Sequence, residues 1–570
     1  MKKLLSAVLC MAATHAMLSA QDIQGNDSSR TDNPWRWKAS FSLQSDIHYA
    51  TRKGELNDRW SGNTYVTGSI QNQFLEIGMR LEELNHPLPG HEDEKGWGVP
   101  NIYVKGRYKF VEATVGDFYE QFGSGMLLRS YEDRSLGIDN SIRGGRIVLT
   151  PARWATIKAL GGQQRNYFDR KGRVFNRERG YLWGGDVELS ASQWFKAMND
   201  NGWNLNAGAS WITKHESPDP ITQVIDGKLH RLNQPENVSA LSARFRLQHG
   251  NWDVYTEYAH KLDDPNATNN YIYKSGSVAM LTATYARSGM SVLLGARRSE
   301  NFDFRSERTA TQTALRINHL QPFTQQQSYT LAALYPYATQ PGGEWALQAE
   351  MRYRFKKGSW AGGKYGTGIK LSASHIRGLK KKWNDLRWES NPQDASMMGT
   401  DGYKSDFFGM GERYFHDIDL EISKKISRTY SFTFTYMNQY YNRQIIEGHA
   451  ENGDIIRSNL FIYDGKHKLS QRLSLRTELQ YLHTRQAEKD WLFALVECSV
   501  LPHFIFSVSD QWNTGVTNKH YYMASAAGMF GNHRLQLSYG RTRRGINCSG
   551  GVCRMMPATE GVYLSYNLNF

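Results

Sequence analysis

Two sets of residues in this 570-residue chain could do chemistry. The first is a series of charges spaced by two. Arg244 and Arg246 precede the tight turn His249-Gly250-Asn251, and Asp253 and Glu257 follow it, so a hairpin would bring opposite signs onto one face. Glu350, Arg352 and Arg354 repeat the spacing, as do Arg476 and Glu478. Asp417, Asp419 and Glu421 place three carboxylates on one face, hard oxygen ligands that could hold a divalent cation. Pairing with basic residues on the same inner face is the expectation adopted for them.

The second set lies in 120–141. Gly123, Gly125 and Gly137 are mixed there with Met126-Leu127-Leu128 and a charge cluster of Arg129, Glu132, Asp133 and Arg134. A loop tip in water has little use for Met-Leu-Leu, whereas a loop folded into a lumen does. The expectation is a pore constriction with Arg129, Arg134 and Arg143 opposing Glu132, Asp133 and Asp139. An external loop packed on its neighbours is the alternative.

No catalytic motif accompanies these charges. A Gly-x-Ser-x-Gly elbow between strand and helix, HExxH and a phosphate loop are all missing from the sequence. His483 shares parity with Leu479 and Tyr481, which points it outward at a rim. The chain reads as a non-enzyme with no cofactor and no metal. Cys548 and Cys553, separated by Ser-Gly-Gly-Val, are a disulfide candidate for an oxidising compartment, and Cys498 sits in a strand.

The elements that must position these residues are strands. Leu75, Ile77, Met79 and Leu81 interleave with Glu76, Gly78, Arg80 and Glu82. Trp345 to Phe355 alternate in the same way with Glu350, Arg352 and Arg354, and Tyr430, Phe432, Phe434 and Tyr436 alternate with Ser431, Thr433 and Thr435. Short turns, such as Asn72-Gln73, Lys109-Phe110, Gly250-Asn251 and Gly531-Asn532, trade places with long polar segments at 51–61, 84–99, 120–141, 163–178, 214–236, 299–308, 377–408 and 544–558. One apolar and one polar face per strand, with long loops opposite short turns, is the pattern of a transmembrane barrel. The expected fold is all-β: a single large antiparallel up-and-down transmembrane β-barrel of about 24–26 strands, without a plug domain. The stretch 300–342 carries the weakest strand pattern.

Both ends fit this reading. Met1-Lys-Lys-Leu-Leu, an apolar stretch and Leu18-Ser-Ala20 read as a signal peptide, 1–20, cleaved near Ala20-Gln21. Residues 21–34 then form a short periplasmic segment and 35–570 the barrel. In the last ten residues Val562, Leu564, Tyr566, Leu568 and Phe570 share one face, while Tyr563, Ser565, Asn567 and Asn569 share the other. A closing strand ending in Phe570 is what barrel-assembly machinery would read. The 31 Tyr and 16 Trp suit interfacial girdles.

The formal charge is +14, and losing Lys2 and Lys3 with the leader leaves +12. Basic residues concentrate in two candidate outer loops. Arg165, Arg170, Lys171, Arg173, Arg177 and Arg179 form one; Arg377, Lys380, Lys381, Lys382 and Arg387, with Trp383 and Trp388, form the other. They could attract anionic solutes or neutralise lipopolysaccharide phosphates. The implied partners are outer-membrane lipid and lipopolysaccharide, and nucleic acid is excluded by export.

Longer runs carry a resemblance. Lys95-Gly-Trp-Gly-Val-Pro-Asn-Ile-Tyr-Val104, Val115-Gly-Asp-Phe-Tyr-Glu-Gln-Phe-Gly-Ser-Gly125, Ser135-Leu-Gly-Ile-Asp-Asn-Ser-Ile-Arg-Gly144, Leu475-Arg-Thr-Glu-Leu-Gln-Tyr-Leu-His-Thr484 and Gly550-Gly-Val-Cys-Arg554 resemble an uncharacterised family of Bacteroidota outer-membrane proteins. The resemblance implies an outer-membrane barrel and carries over no site residues. The functional expectation is a porin-like channel for polar or anionic solutes. The alternative is a barrel serving envelope export, assembly or surface binding through its long loops.

Overall fold

A computed structural model describes residues 35–52, 56, 58–168, 179–225, 228–384, 397–448, 455–550 and 552–570. The signal peptide and the 21–34 segment lie outside the described residues, as do Arg170, Lys171, Arg173, Arg177, Arg387 and Trp388.

Among the described residues, twenty-four antiparallel strands form one sheet that closes on itself. Each strand pairs with the next in sequence, the up-and-down order. The first strand (Lys38–Ala50) also pairs with the last (Thr559–Asn569), with Ser42 opposite Asn569 and Ala50 opposite Gly561. Closure leaves no wall strand with an unpaired edge, the condition for crossing a bilayer without exposing backbone donors to lipid.

Strand alternation decides which side chains face out. Leu535 and Leu537 project from the wall, and their register partners Tyr566 and Leu564 share that outer face. Gln536 and Ser538, opposite Ser565 and Tyr563, point inward. The same parity puts Tyr563 against His48 inside the barrel, where the two rings stack. Aromatic pairs ring the short-turn end: Trp203 on His249, Trp252 on Tyr285, Phe504 against Phe530. This is the girdle that an apolar band needs at its edge.

Two expected features differ. Beyond Glu300 the stretch 300–342 contributes no wall strand: the strands Met290–Glu300 and Glu344–Phe355 pair directly, Ser299 opposite Glu344, and 301–343 leaves the wall between them. Its pattern is weak because its apolar residues pack on one another and on the inner wall, with no lipid face to satisfy. The segment 377–408 is partly strand. Thr367–Trp383 and Tyr403–Lys425 continue the ladder to Trp383–Tyr403, through three register shifts. At 17 and 23 residues they exceed the roughly 9–11 that cross a bilayer.

Sidedness is testable by a paired substitution. Leu537→Arg should destabilise the barrel refolded in phospholipid vesicles by about 2–4 kcal/mol, while Ser565→Arg on the inner face should cost under half of that. Equal costs in urea titrations would contradict the facing derived above.

Candidate functional site

The inner wall is divided along its length. Toward the short-turn end it carries charges that pair between neighbouring strands. Glu76 takes Lys105 and Arg107, Arg246 meets Asp253 at 2.6 Å, and Arg476 reaches Asp464 at 3.0 Å. A wall cavity of about 600 Å³ lies here, lined by Glu188, Arg244, Arg246 and Asp253. Toward the long-loop end the inward positions turn apolar: Ile142, Leu160, Leu182, Ile212, Val238 and Val278 on one side, Ile376, Met437, Ile456, Leu460, Ile462 and Leu482 on the other. Exposed to a water-filled lumen, each large side chain would forgo about 1.5–3 kcal/mol of burial.

Loops folded into the lumen cover them. Residues 119–141 bring Phe122, Met126, Leu127 and Leu128 onto the first apolar patch, leaving each at most 2 % exposed. Gly123 lets the loop approach the wall. Its φ is +52°, and a Cβ there would lie 2.8 Å from the Arg244 side chain. Residues 301–343 serve both patches. Phe302, Phe304 and Ile317 join the first, while Phe323, Leu331, Leu334, Tyr335 and Tyr337 pack on the second. Wall amides hold this segment: the Leu331 amide donates to Gln480 at 2.8 Å and Gln439 donates to the Tyr335 carbonyl at 3.0 Å. The two loops bond to each other through Arg129 to the Ile317 carbonyl and His319 to the Gly125 carbonyl.

A buried ion network pins the first loop. Arg80 and Arg165 stand on the wall side with Glu82, and both bind Asp139 of the loop. Arg80 also reaches Glu132 at 2.9 Å, and Arg165 binds Glu82 at 2.6 Å. Burial works against the Asp139 charge, but Arg165 and Arg80 hold its carboxyl below the ordinary range. Glu82, Glu132 and Asp139 lie close enough to suit a metal. Three guanidiniums, those of Arg80, Arg134 and Arg165, already pair with them, so the donor set fits ion pairing and not a cation.

The hairpin Gly545–Ser549 and Val552–Met556 closes over this junction, with Cys548 and Cys553 joined as a disulfide. Val552 packs on Leu136 and Ile138, Arg554 donates to the Leu136 carbonyl, and Asn547 donates to the Ser135 carbonyl. Arg134 donates to Gln44 of the first strand at 2.7 Å.

The expected constriction cluster is rearranged. Arg134 meets Glu132 at 2.6 Å, as its spacing allows. Arg129 makes no ion pair among the described residues and stacks on Tyr131. Arg143 is in the wall, paired with Asp117 at 2.6 Å, because Ile142 takes the inward position beside it. Asp133 caps the turn at Ser135. The loop's acids thus meet Arg80, which the alternation had displayed only as a polar-face residue, and Arg165. Arg165 and Arg179 were expected on an outer loop, yet both are buried, Arg179 against Glu307 at 3.4 Å. Arg377, Lys380, Lys381 and Lys382 ride on a strand; Lys381 lies over the Tyr403 ring.

Of the inner-face charges, Arg244 binds Asp186 and Glu188, and Glu257 accepts from the Ser124 amide. Glu350 takes Arg352 and Lys370, and Arg476 also binds Glu478. Arg354 lies on the same inner face and has no ion-pair partner among the described residues. The acidic trio departs from expectation: among the described residues Asp417, Asp419 and Glu421 form no ion pair. Asp419 accepts from Gln327 at 2.9 Å instead, because the infolded segment supplies amides where basic strand residues were expected. Neither His319 nor the glutamines of 321–327 were foreseen, since their segment had been read as wall.

The chain belongs to a family of unknown function (DUF6029), whose pattern matches residues 1–570. No curated protein matches the sequence. Among solved structures it is similar to the translocation pore of the P pilus usher PapC, at 9 % identity and TM-score 0.40, over 94 % of this chain and 99 % of that one. The siderophore receptor PirA from Pseudomonas aeruginosa is similar at 11 % identity and TM-score 0.39, over 95 % and 82 % of the two chains. OccAB3 from Acinetobacter baumannii is similar at 9 % identity and TM-score 0.34, over 94 % and 99 %. Likeness at this level assigns no function.

Two outcomes test the loop anchors. Arg165→Met leaves the buried carboxylates of Glu82 and Asp139 to share Arg80 and should cost about 3–5 kcal/mol in stability; adding Glu82→Met should restore part of the loss in thermal melts, and a purely additive double variant would contradict the coupling. For pH, burial and then Arg129, Arg316 and Arg297 push His319 down to about 3 from its ordinary 6.5. A depressed histidine favours the packed state fully above about pH 6.5, and that contribution fades by about 1.4 kcal/mol per unit as pH falls toward 3. A spin label at Gln312 should therefore gain mobility between pH 7 and pH 5, and His319→Phe should flatten the response. Identical pH curves for both proteins would exclude His319 as the cause.

Proposed function

We propose that this chain is an integral outer-membrane β-barrel that conducts polar solutes along a path gated by its own infolded loops. The long-loop end is then extracellular and the short-turn end periplasmic. The observation that carries the reading is the division of the lumen: a charged short-turn half that holds a wall cavity, and a long-loop half occupied by 119–141 and 301–343. Most wall charges at the short-turn end pair with an opposite charge, which supports polar solutes of either sign over anion selectivity. The proposed role needs no catalytic step. It places lipid and lipopolysaccharide around the wall and leaves the strand ending at Phe570 to the assembly machinery.

A second reading has its own observation. The projecting strands Thr367–Trp383 and Tyr403–Lys425 carry basic residues beside Phe407 and Phe408, the latter 81 % exposed. Such a flap could bind an envelope partner. Retention of a partner by the intact protein and its loss on trimming 379–408 would favour that role.

Single-channel recording in planar bilayers tests the first reading. Ser299 and Glu344 are register partners, so a short Gly-Ser turn can replace 305–340 without opening the wall. The shortened protein should show conductance several-fold above the intact chain. Unchanged conductance would overturn the gate, and absence of current in both proteins would overturn the channel.

A further inference from the structure

A cavity of about 500 Å³ lies where the segment 301–343, the wall and the disulfide hairpin meet. Its lining holds two side chains of opposite charge type that have no ion-pair partner among the described residues. Asp417 is 2 % exposed, forms no ion pair among the described residues, and its Oδ1 has no hydrogen-bond partner. Arg129 faces the same cavity and meets no carboxylate among the described residues. Gln325 adds a buried Oε1 that also lacks a partner, while Phe415, Met437 and Tyr335 supply an apolar floor. Orphaned polar atoms in a buried site cost free energy that a complementary ligand recovers.

From this arrangement we infer that the cavity binds a short zwitterionic peptide, its ammonium toward Asp417 and its carboxylate toward Arg129. The Gln325 carbonyl oxygen would accept a peptide N–H, and the floor would take a small apolar side chain. The volume lies within the range of small-molecule sites. Zwitterion recognition follows from the two unpaired charges; a neutral sugar would satisfy neither. As a statement about solute, the inference rests on the channel reading. As a statement about binding, it does not.

Calorimetry on the intact barrel in detergent tests it with alanyl-alanine, its N-acetyl and C-terminal amide forms, and maltose. Alanyl-alanine should bind, and each blocked form should bind roughly tenfold to a hundredfold more weakly. Asp417→Asn should abolish the penalty for acetylation, and Arg129→Gln the penalty for amidation. Equal binding of all three peptides, no peptide binding, or preference for maltose would overturn the site, and comparing ligands on the unaltered protein does so even if a variant misfolds. Peptide binding without ionic current would refute the channel alone, and gated current without peptide binding would refute the site alone.

Discussion

The inner face of the wall is apolar over its long-loop half, and the remaining architecture answers that constraint. A wall of twenty-four strands encloses a lumen too wide for its own side chains to meet across it. Ile212, Ile456 and Leu482 can therefore leave water only if backbone is brought to them. The loops 119–141 and 301–343 supply it, and their backbone groups then need partners inside the barrel. Gln439, Gln480 and the carbonyls of Gly125 and Ile317 provide these.

Charge placement follows the same division. At the short-turn end Arg246 and Asp253 pair within reach of water, where an ion pair contributes about 0–1 kcal/mol. Their arrangement shapes the field of the lumen more than it stabilises the fold. Arg165, Glu82 and Asp139 are buried with Arg80, so losing one member leaves the buried charges out of balance and costs several times as much. The first group tunes a surface, whereas the second fixes the position of a loop.

The wall was legible in the sequence because lipid outside and water inside impose a period of two. Leu75 to Leu81 and Tyr430 to Tyr436 were read in the alternation they adopt. The filling of the lumen was less legible. Where loops pack on the inner face, both faces become apolar and the alternation fades, as in Ile455-Ile456 and Leu460-Phe461-Ile462-Tyr463. Those doubled apolar runs were the available signal. Met126-Leu127-Leu128 did announce an infolded loop, but its partners Arg80 and Arg165 are remote in sequence, and spacing alone cannot pair them.

The loop 119–141 also touches both ends of the chain. Arg134 holds Gln44 on the first strand, while Ser135 and Leu136 accept from the hairpin that leads into the last. Those two strands form the seam where the barrel closes. Parting them breaks more than one ladder of backbone bonds, because the loop bridges the gap from within like a clasp. The part that narrows the lumen thus also resists lateral opening of the wall toward lipid, which ties how firmly the barrel stays shut in the membrane plane to how fully its interior is occupied.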